Sequence, residues 1–469
     1  MKMQLKSDQT IVAPASGSGG AVAIIRVSGP DAFAISDRVV RLRKGTVSDS
    51  KGFSLHFGEA LSGGEVLDEV LVSVFRAPRS YTGEDSVEIS CHASPFIVHE
   101  IVHAFTSCGA RMAEAGEFTS RAYLNGKMDL SQAEAVADLI SSTSKAASKV
   151  SLNQLRGGVS SELGKMREEL LKMASLLELE LDFGEEEVEF ASRESLVNLL
   201  DGVIAHVDSL SGTFRTGNAI RRGIPVTIAG NVNAGKSTLL NAILGDDRAI
   251  VSPTPGTTRD TVEDTLTIDG HLFRFIDTAG IRESSDDVEK IGIERSFKKI
   301  SEAEIVLGVL DATDSENDLL NNLSILEKSV DLLQQKLIIL LNKVDLIANK
   351  NVNTINKIVS FIGDKYITIK LSAKERIGLD LLFIELSKVA KAYSLAGDST
   401  IIINARHYDA LLRARVPLVS ARSAITSSLP SDLIAEDLRQ AISILGEITG
   451  TITTPDILEE IFGKFCIGK

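Results

Sequence analysis

The chain has 469 residues, too many for one hydrophobic core, and about 150 residues per domain points to roughly three domains. Hydrophobic residues at 43% and charged residues at 24% are typical of a soluble globular protein, and no apolar run is long enough to span a bilayer. A net charge of −14 excludes wholesale nucleic-acid binding, which needs a basic face, so any RNA contact is local or lent by a partner. Cys91, Cys108 and Cys466 are scattered with no C-x-x-C pair, which points away from a zinc site or disulfide framework and toward a reducing compartment. The opening MKMQLKSDQT lacks the apolar core of a signal peptide, so the expected location is cytoplasmic.

Residues 1 to about 119 read as an α/β or α+β domain of short elements. AVAIIRVSG (21–29) is a strand, PDAFAISDRVV a helix with Pro30 near its first turn, EVLVSVFRAP and DSVEISCHA further strands, and a helix runs from about Pro95 to Cys108. From there to about 222 the texture is helical. SQAEAVADLISSTSKAASKVSLNQL, SELGKMREELLKMASLLELELDF and LVNLLDGVIAHVDSLSGTF are three long amphipathic candidates, read as packing helices of a bundle. The acidic run GEEEVEF (184–190) reads most simply as a solvated turn. Residues 223–392 alternate strand and helix: PVTIA, TLTID, HLFRFID, EIVLGVLDA, KLIILLNK and YITIKLSA. Asp269-Gly270 is a hairpin signal, and the rest predicts a mostly parallel sheet covered on both sides. Residues 393–469 return to helix in RHYDALLRARVPLVSARSAI, LIAEDLRQAISILGEIT and PDILEEIFGKF. The economical architecture is one discontinuous helical domain, 120–222 and 393–469, interrupted by a nucleotide domain.

That nucleotide domain rests on GNVNAGKST (230–238), which fits G-x-x-x-x-G-K-[ST] between an apolar strand and a helix. Backbone N–H groups of Asn233, Ala234, Gly235 and the following turn face an anion, Lys236 reaches the β- and γ-phosphates, and the Ser237 hydroxyl, followed by Thr238, holds Mg2+. Four further stretches sit in the order a GTPase needs. SPTPGTTRD (252–260) brings Ser252, Pro253, Thr254, Pro255, Gly256 and Thr257, with Thr258 as a second Mg2+ ligand. DTAG (Asp277, Thr278, Ala279, Gly280) follows a strand and meets the metal and γ-phosphate. NKVD supplies Asn342, Lys343 and Asp345, whose carboxylate accepts both hydrogens of the guanine edge and so argues for GTP over ATP. SAK (Ser372, Ala373, Lys374) closes over the base. Ile281 stands where Ras-like enzymes carry the water-orienting Gln and cannot hydrogen-bond, so something else has to position the water and supply positive charge. Asn233 is a candidate ligand for a potassium ion beside the phosphates, caged further by the loop from Ser252 to Thr257.

GNVNAGKS, PGTTRDTVED, DTAGIRESSDDVEKIGIERS, GEFTSRAYLNGKMDLSQAEAVADLI and the terminal FCIGK together resemble the tRNA modification GTPase family MnmE, also called TrmE, over essentially the whole chain. The resemblance implies an N-terminal folate-binding domain that dimerises, a discontinuous helical domain and an inserted Ras-like GTPase domain. It implies potassium-stimulated hydrolysis of GTP, with Asn233, Ser252, Thr254 and Thr257 on the potassium and Glu289 organising the attacking water. Arg26, Glu88, Lys127 and Lys469 match positions that contact 5-formyl- or 5,10-methylene-tetrahydrofolate, and Cys466 is a candidate nucleophile beside it. It further implies a homodimer that joins an FAD- and NADH-using partner of the MnmG (GidA) type in a heterotetramer. The product is an aminomethyl or carboxymethylaminomethyl group at C5 of wobble uridine in certain tRNAs. The departures are Ala93-Ser94, where the family shows a Gly pair, and Asn231-Val232 in place of Arg-Pro. The rival readings are a ribosome-assembly GTPase and a folate-sensing GTPase without RNA chemistry.

Overall fold

The computed structural model describes residues 9–17, 19–182, 192–246, 250–251, 264–276, 300, 302–333, 335–347, 352–395, 400–427 and 429–469. Elements β1 (Ile11–Pro14), β2 (Val22–Ser28), α1 (Ala32–Val39), β3 (Val40–Leu42), β4 (Ser54–Ser62), β5 (Glu65–Phe75), β6 (Ser86–His92), α2 (Pro95–Ser107) and β7 (Arg111–Met112) open the chain. Their strands form one sheet in the order β3-β4-β5-β6-β2-β1-β7, antiparallel except for the parallel β1–β7 pair. Strand alternation decides which side is core. Ala23, Ile25 and Val27 of β2 and Val87, Ile89 and Cys91 of β6 are buried with Ile35 of α1 and Ile101 and Phe105 of α2 in one apolar cluster. The opposite face carries Arg26 and Glu88, cross-strand partners in the register. Burial and the nearby Asp68 push the Cys91 thiol up to about 11, so it is an inert packing group.

Helices α3 (Glu117–Leu124), α4 (Leu130–Ser141), α5 (Lys145–Leu155), α6 (Gly158–Asp182) and α7 (Arg193–Gly212) follow. The single helix expected across residues 131–155 is two. Ser144 Oγ accepts from Ala147 N at 3.1 Å, so a capping hydroxyl restarts the chain where periodicity alone runs on. The GEEEVEF run lies outside the described residues.

Next come α8 (Phe214–Arg222), β8 (Ile224–Gly230), α9 (Lys236–Leu244), β9 (Ile250–Val251), β10 (Asp264–Ile268), β11 (His271–Phe275), β12 (Ile305–Asp311), α10 (Glu316–Ser329), β13 (Lys336–Asn342), α11 (Val352–Ile362), β14 (Ile367–Lys370) and α12 (Leu379–Leu395). The sheet order is β14-β13-β12-β8-β11-β10-β9, parallel from β14 to β11. The expected hairpin joins β10 and β11, with Asp269 at φ 50° and Gly270 at φ 78° as a turn of that type requires. One apolar cluster gathers α9 and α12 on one face, and a second gathers α10 and α11 on the other. Strands buried on both faces read as continuous apolar runs, which is why KLIILL lacks alternation.

The chain ends in α13 (Ala405–Thr426), α14 (Ser431–Thr449) and α15 (Pro455–Phe462). By contacts it divides into two compact units, residues 1–140, 154–204 and 410–469 in one and 141–153 and 205–409 in the other. Within the first, α6 packs along α14, and Arg439 pairs with Glu178 at 3.2 Å. Phe462 and Phe465 pack with Leu130 and Ala133 of α4.

Candidate functional site

Two places gather the residues singled out above. At the first, the loop from β8 into α9 is shaped by positive φ at Gly230 (151°), Asn233 (63°) and Gly235 (94°). A side chain at Gly235 would strike the Asn342 amide, so glycine is required there for close approach as well as for its φ. Lys236 and Ser237 open the first turn of α9, where the positive end of the helix dipole favours an anion. Lys236 Nζ donates to Gly230 O and Asn231 O, both at 2.8 Å, across the loop. Burial lowers its pKa. A cavity of about 290 Å3 flanks the loop and is lined by Asn231, Asn233, Asp311, Asp314 and Asp318 among others. Burial, Asp311 and Asp318 raise the Asp314 pKa. Three carboxylates make that side a poor seat for phosphate, which leaves the α9 side.

Asn342 is 2% exposed and ties three segments together. Its Nδ2 donates to Ala234 O at 2.9 Å, and its Oδ1 accepts from Ala373 N at 3.0 Å. The phosphate-type loop, the end of β13 and the SAK turn are therefore held in register by one buried amide. Lys343 takes φ 66° and its Nζ bonds Asp311 Oδ2 at 2.5 Å. Burial pushes the Asp311 carboxyl up, but hydrogen bonds from Lys343 and Thr313 outweigh it and hold the group below its ordinary range. Asp345 is exposed in the short turn of 3-10 helix Val344–Leu346. Glu375 N donates to Ser372 Oγ at 3.2 Å, and Ser372 pairs with Ile377, which closes the SAK turn. The structure thus brings Asn233 to Thr238 together with Asn342 to Asp345 and Ser372 to Lys374. Residues 252–258, 277–280 and 289, which carry the remaining nucleotide, Mg2+, potassium and water-orienting expectations, lie outside the described residues. Sequence reasoning missed Asp311. Its signal was an acid ending an apolar strand.

At the second place Arg26 Nε and Nη2 both bond Glu88 Oε1 at 2.8 Å. The guanidinium carbon lies 5.2 Å from the Tyr81 ring centroid and 5.6 Å from that of Phe118. Tyr81 Oη is 2.9 Å from Thr119 Oγ1, and burial raises its pKa. The carboxyl-terminal tail ends here. Phe118 N donates to Lys469 O at 3.1 Å, Gly116 N to Cys466 O at 3.4 Å, and Ala115 bridges Ile467. Gly468 has φ 96°, and any side chain on it would strike Pro14 O. Lys127 Nζ donates to Pro78 O at 2.9 Å, at the base of the turn that carries Tyr81. Arg26, Glu88 and the Lys469 backbone are therefore one neighbourhood, and Lys127 joins it through the 78–83 turn. The Cys466 thiol is exposed, and the neighbouring Lys464 is engaged with Glu460 at 2.9 Å. Tyr81 and Phe118 were not legible as site residues, because a lone aromatic near a turn reads as packing.

Beneath this site Arg121, 4% exposed, bonds Glu84 at 3.1 Å, Glu117 at 2.9 Å and Gln9 O at 2.8 Å. Glu117 also takes Arg111 at 2.5 Å and Glu114 N at 2.8 Å. Burial raises the Glu117 pKa, but the bonds from Arg111, Glu114 N and Arg121 prevail and lower it.

Two family models together match nearly the whole chain. A family model described as "GTP-binding protein TrmE N-terminus" matches residues 10–127, and one described as "MnmE helical domain" matches 130–466. The tRNA modification GTPase MnmE of Bacteroides fragilis is 46% identical over 466 residues, 99% of this chain and 100% of that protein. This chain belongs to the tRNA modification GTPase MnmE family. The MnmE of Christiangramia forsetii is 47% identical over 474 residues, again 99% of this chain and 100% of the other. Among solved structures, Era in complex with MgGDPNP and a 16S ribosomal RNA segment is 30% identical, with a TM-score of 0.27 over 36% of this chain and 55% of that one. No helix among the described residues is long and apolar enough to cross a membrane.

Proposed function

We propose that this member of the MnmE family is a GTP hydrolase that acts in tRNA modification, and that it adds an aminomethyl or carboxymethylaminomethyl group at C5 of wobble uridine. The observation that carries the reading is a glycine loop locked by the buried Asn342 to the end of β13 and the SAK turn, in a chain 46% identical to a tRNA modification GTPase over 99% of its length. Mg2+ fits the Ser237 hydroxyl at the start of α9, with Thr258 as its other protein ligand. A potassium ion fits the loop, where positive φ at Asn233 turns a polar residue out of regular structure. Ser252, Thr254 and Thr257 would complete that cage, and Glu289 would organise the attacking water. When bound, the two metals would supply positive charge to the transferring phosphoryl group. Lys236 holds the phosphates, and Asp345 reads the base.

The Arg26–Glu88 pair supports a tetrahydrofolate one-carbon donor at the second place. It offers a guanidinium and a carboxylate on an accessible sheet face, suited to a ligand with both an aminopyrimidine edge and carboxylates. Lys127 and Lys469 would add charge for the glutamyl end, and Cys466 stays a candidate nucleophile. The same sheet face exposes Leu55, Phe57 and Leu71, with Phe57 and Leu71 cross-strand partners. This apolar patch supports a homodimer through the amino-terminal domain. An FAD- and NADH-using partner of the MnmG type would carry the redox step in a heterotetramer in the cytoplasm. The domains assigned are 1–119, 120–222 with 393–469, and 223–392.

Mass spectrometry of wobble uridine from a deletion strain tests the reading. Loss of the modified nucleoside is expected, and unchanged tRNA refutes it. The cation is tested by GTP turnover in KCl and NaCl at matched ionic strength. KCl should be faster by on the order of tenfold or more, because the arginine finger such an ion replaces is worth ~10³–10⁵ in rate. Equal rates remove the potassium.

A further inference from the structure

The turn beside Arg26 and Glu88 has no role in the reading above. It joins β5 to β6 and is anchored at several points. Ser28 Oγ lies 2.7 Å from Thr82 Oγ1, Asn125 Nδ2 donates to Thr82 O at 2.7 Å, and Lys127 Nζ donates to Pro78 O at 2.9 Å. Gly83 takes φ 81°, and a side chain there would crowd Asn125 and Lys127. Tyr81 sits half-buried within this anchored turn. Its hydroxyl is 2.9 Å from Thr119 Oγ1, which fixes the outer end of the ring.

The ring so held lies on Arg26, with its centroid 5.2 Å from the guanidinium carbon, and the Phe118 ring is at 5.6 Å. Phe118 is fully buried in a cluster with Ile11, Ala13 and Ala113, which accounts for it as packing, and Tyr81 lies at the margin of that cluster. A guanidinium carries its five N–H donors in one plane and none on its faces. Glu88 Oε1 takes Nε and Nη2 in that plane, and the aromatic contact occupies a face through the ring quadrupole. The two contacts together set the plane, and with it the direction of the donors on Nη1. An arginine free to rotate loses rotamer entropy when it grips a ligand, and one already held loses little. Arg26 and Glu88 touch each other, so they act on the same end of a ligand.

We propose that Tyr81 is a positioning residue for the folate site, whose ring holds the Arg26 guanidinium in the plane in which it meets the ligand. The proposal rests on the folate reading given above and deepens it. A donor fork beside a carboxylate is complementary to a pterin edge, where a carbonyl oxygen lies next to an N–H and an amino group. Arg26 donates to the carbonyl oxygen, and Glu88 accepts from its neighbours. Without the ring the guanidinium tilts, and the carbonyl oxygen loses its donor while Glu88 stays in place. Tyr81 therefore acts on the ligand through Arg26.

The test is calorimetric titration of the full-length chain with 5-formyltetrahydrofolate. Affinity should fall about three- to thirtyfold in Tyr81→Leu, the worth of one cation–π contact, and by less than about threefold in Tyr81→Phe, which keeps the ring. The same Tyr81→Leu change is then made on Arg26→Met. There it should cost less than about threefold, because the ring has no cation left to hold. A tyrosine that only braces the turn costs the same in both backgrounds, and that result overturns the proposal. So does a Tyr81→Leu affinity within threefold of wild type, or a Tyr81→Phe loss as large as that of Tyr81→Leu. Wild-type protein that binds no 5-formyltetrahydrofolate removes the folate reading itself, and the role of Tyr81 with it.

Discussion

Asp345→Asn is expected to abolish useful GTP binding while creating affinity for xanthosine triphosphate. The guanine edge offers two hydrogens, on N1 and on the 2-amino group, and a carboxylate accepts both. A carboxamide offers one donor and one acceptor, which clashes with the 2-amino group but suits the 2-carbonyl of xanthine. Charge-assisted bonds are worth roughly 1.5–3 kcal/mol each, so turning one into a donor–donor clash and the other into a neutral bond weakens GTP by about 10²-fold or more. Asp345 stands on a short helical turn whose start is fixed by Lys343, itself bonded to Asp311, and by the buried Asn342. The substitution therefore alters the reading edge without disturbing its support. Titration with labelled GTP and xanthosine triphosphate checks it. Unchanged GTP affinity would show that Asp345 does not face the base.

Arg121→Met is expected to loosen the amino-terminal domain more than any single surface change. Arg121 is buried with Glu84 and Glu117, and its removal strands carboxylates that are themselves little exposed. Breaking a buried pair from one side costs about 3–5 kcal/mol, because the remaining charge loses its partner without regaining water. Hydrogen exchange along α3 should report an opening free energy lower by that amount. Protection equal to wild type would mean that Arg111, Glu114 N and Ser28 already satisfy both carboxylates. The pH dependence has a definite sign. The Glu117 pKa is lowered in the folded protein, so its contribution is complete above the ordinary glutamate range and is lost as pH falls through the folded value. The deficit of the variant should therefore shrink in acid.

Legibility in the sequence followed the range of the interactions. The glycine loop, the Asp269-Gly270 hairpin and the long helices α6 and α14 were read correctly, because each is set by consecutive residues or by one period. The strands β1, β3, β4 and β7 were not read. β4 is broken in pattern by Gly58, which lies too close to Arg41 O for any side chain, so its alternation is interrupted by a tertiary contact. The helix over 131–155 was read as one because a single serine cap carries less pattern than the apolar residues around it.

The order of amino acids by itself determined the strand–loop–helix of residues 224–244, the acid that follows β13 and the family to which the chain belongs. Those signals survive in one dimension because positive φ, helix starts and short motifs are properties of neighbouring residues. Only the tertiary structure decided that Arg26 meets Glu88 across 62 residues, that the last four residues lie against Phe118, and that Asp68 holds His92. Such pairings depend on strand register and on where a chain end docks. Neither leaves a periodic trace, because a charged side chain looks the same in sequence whether it faces water or a partner.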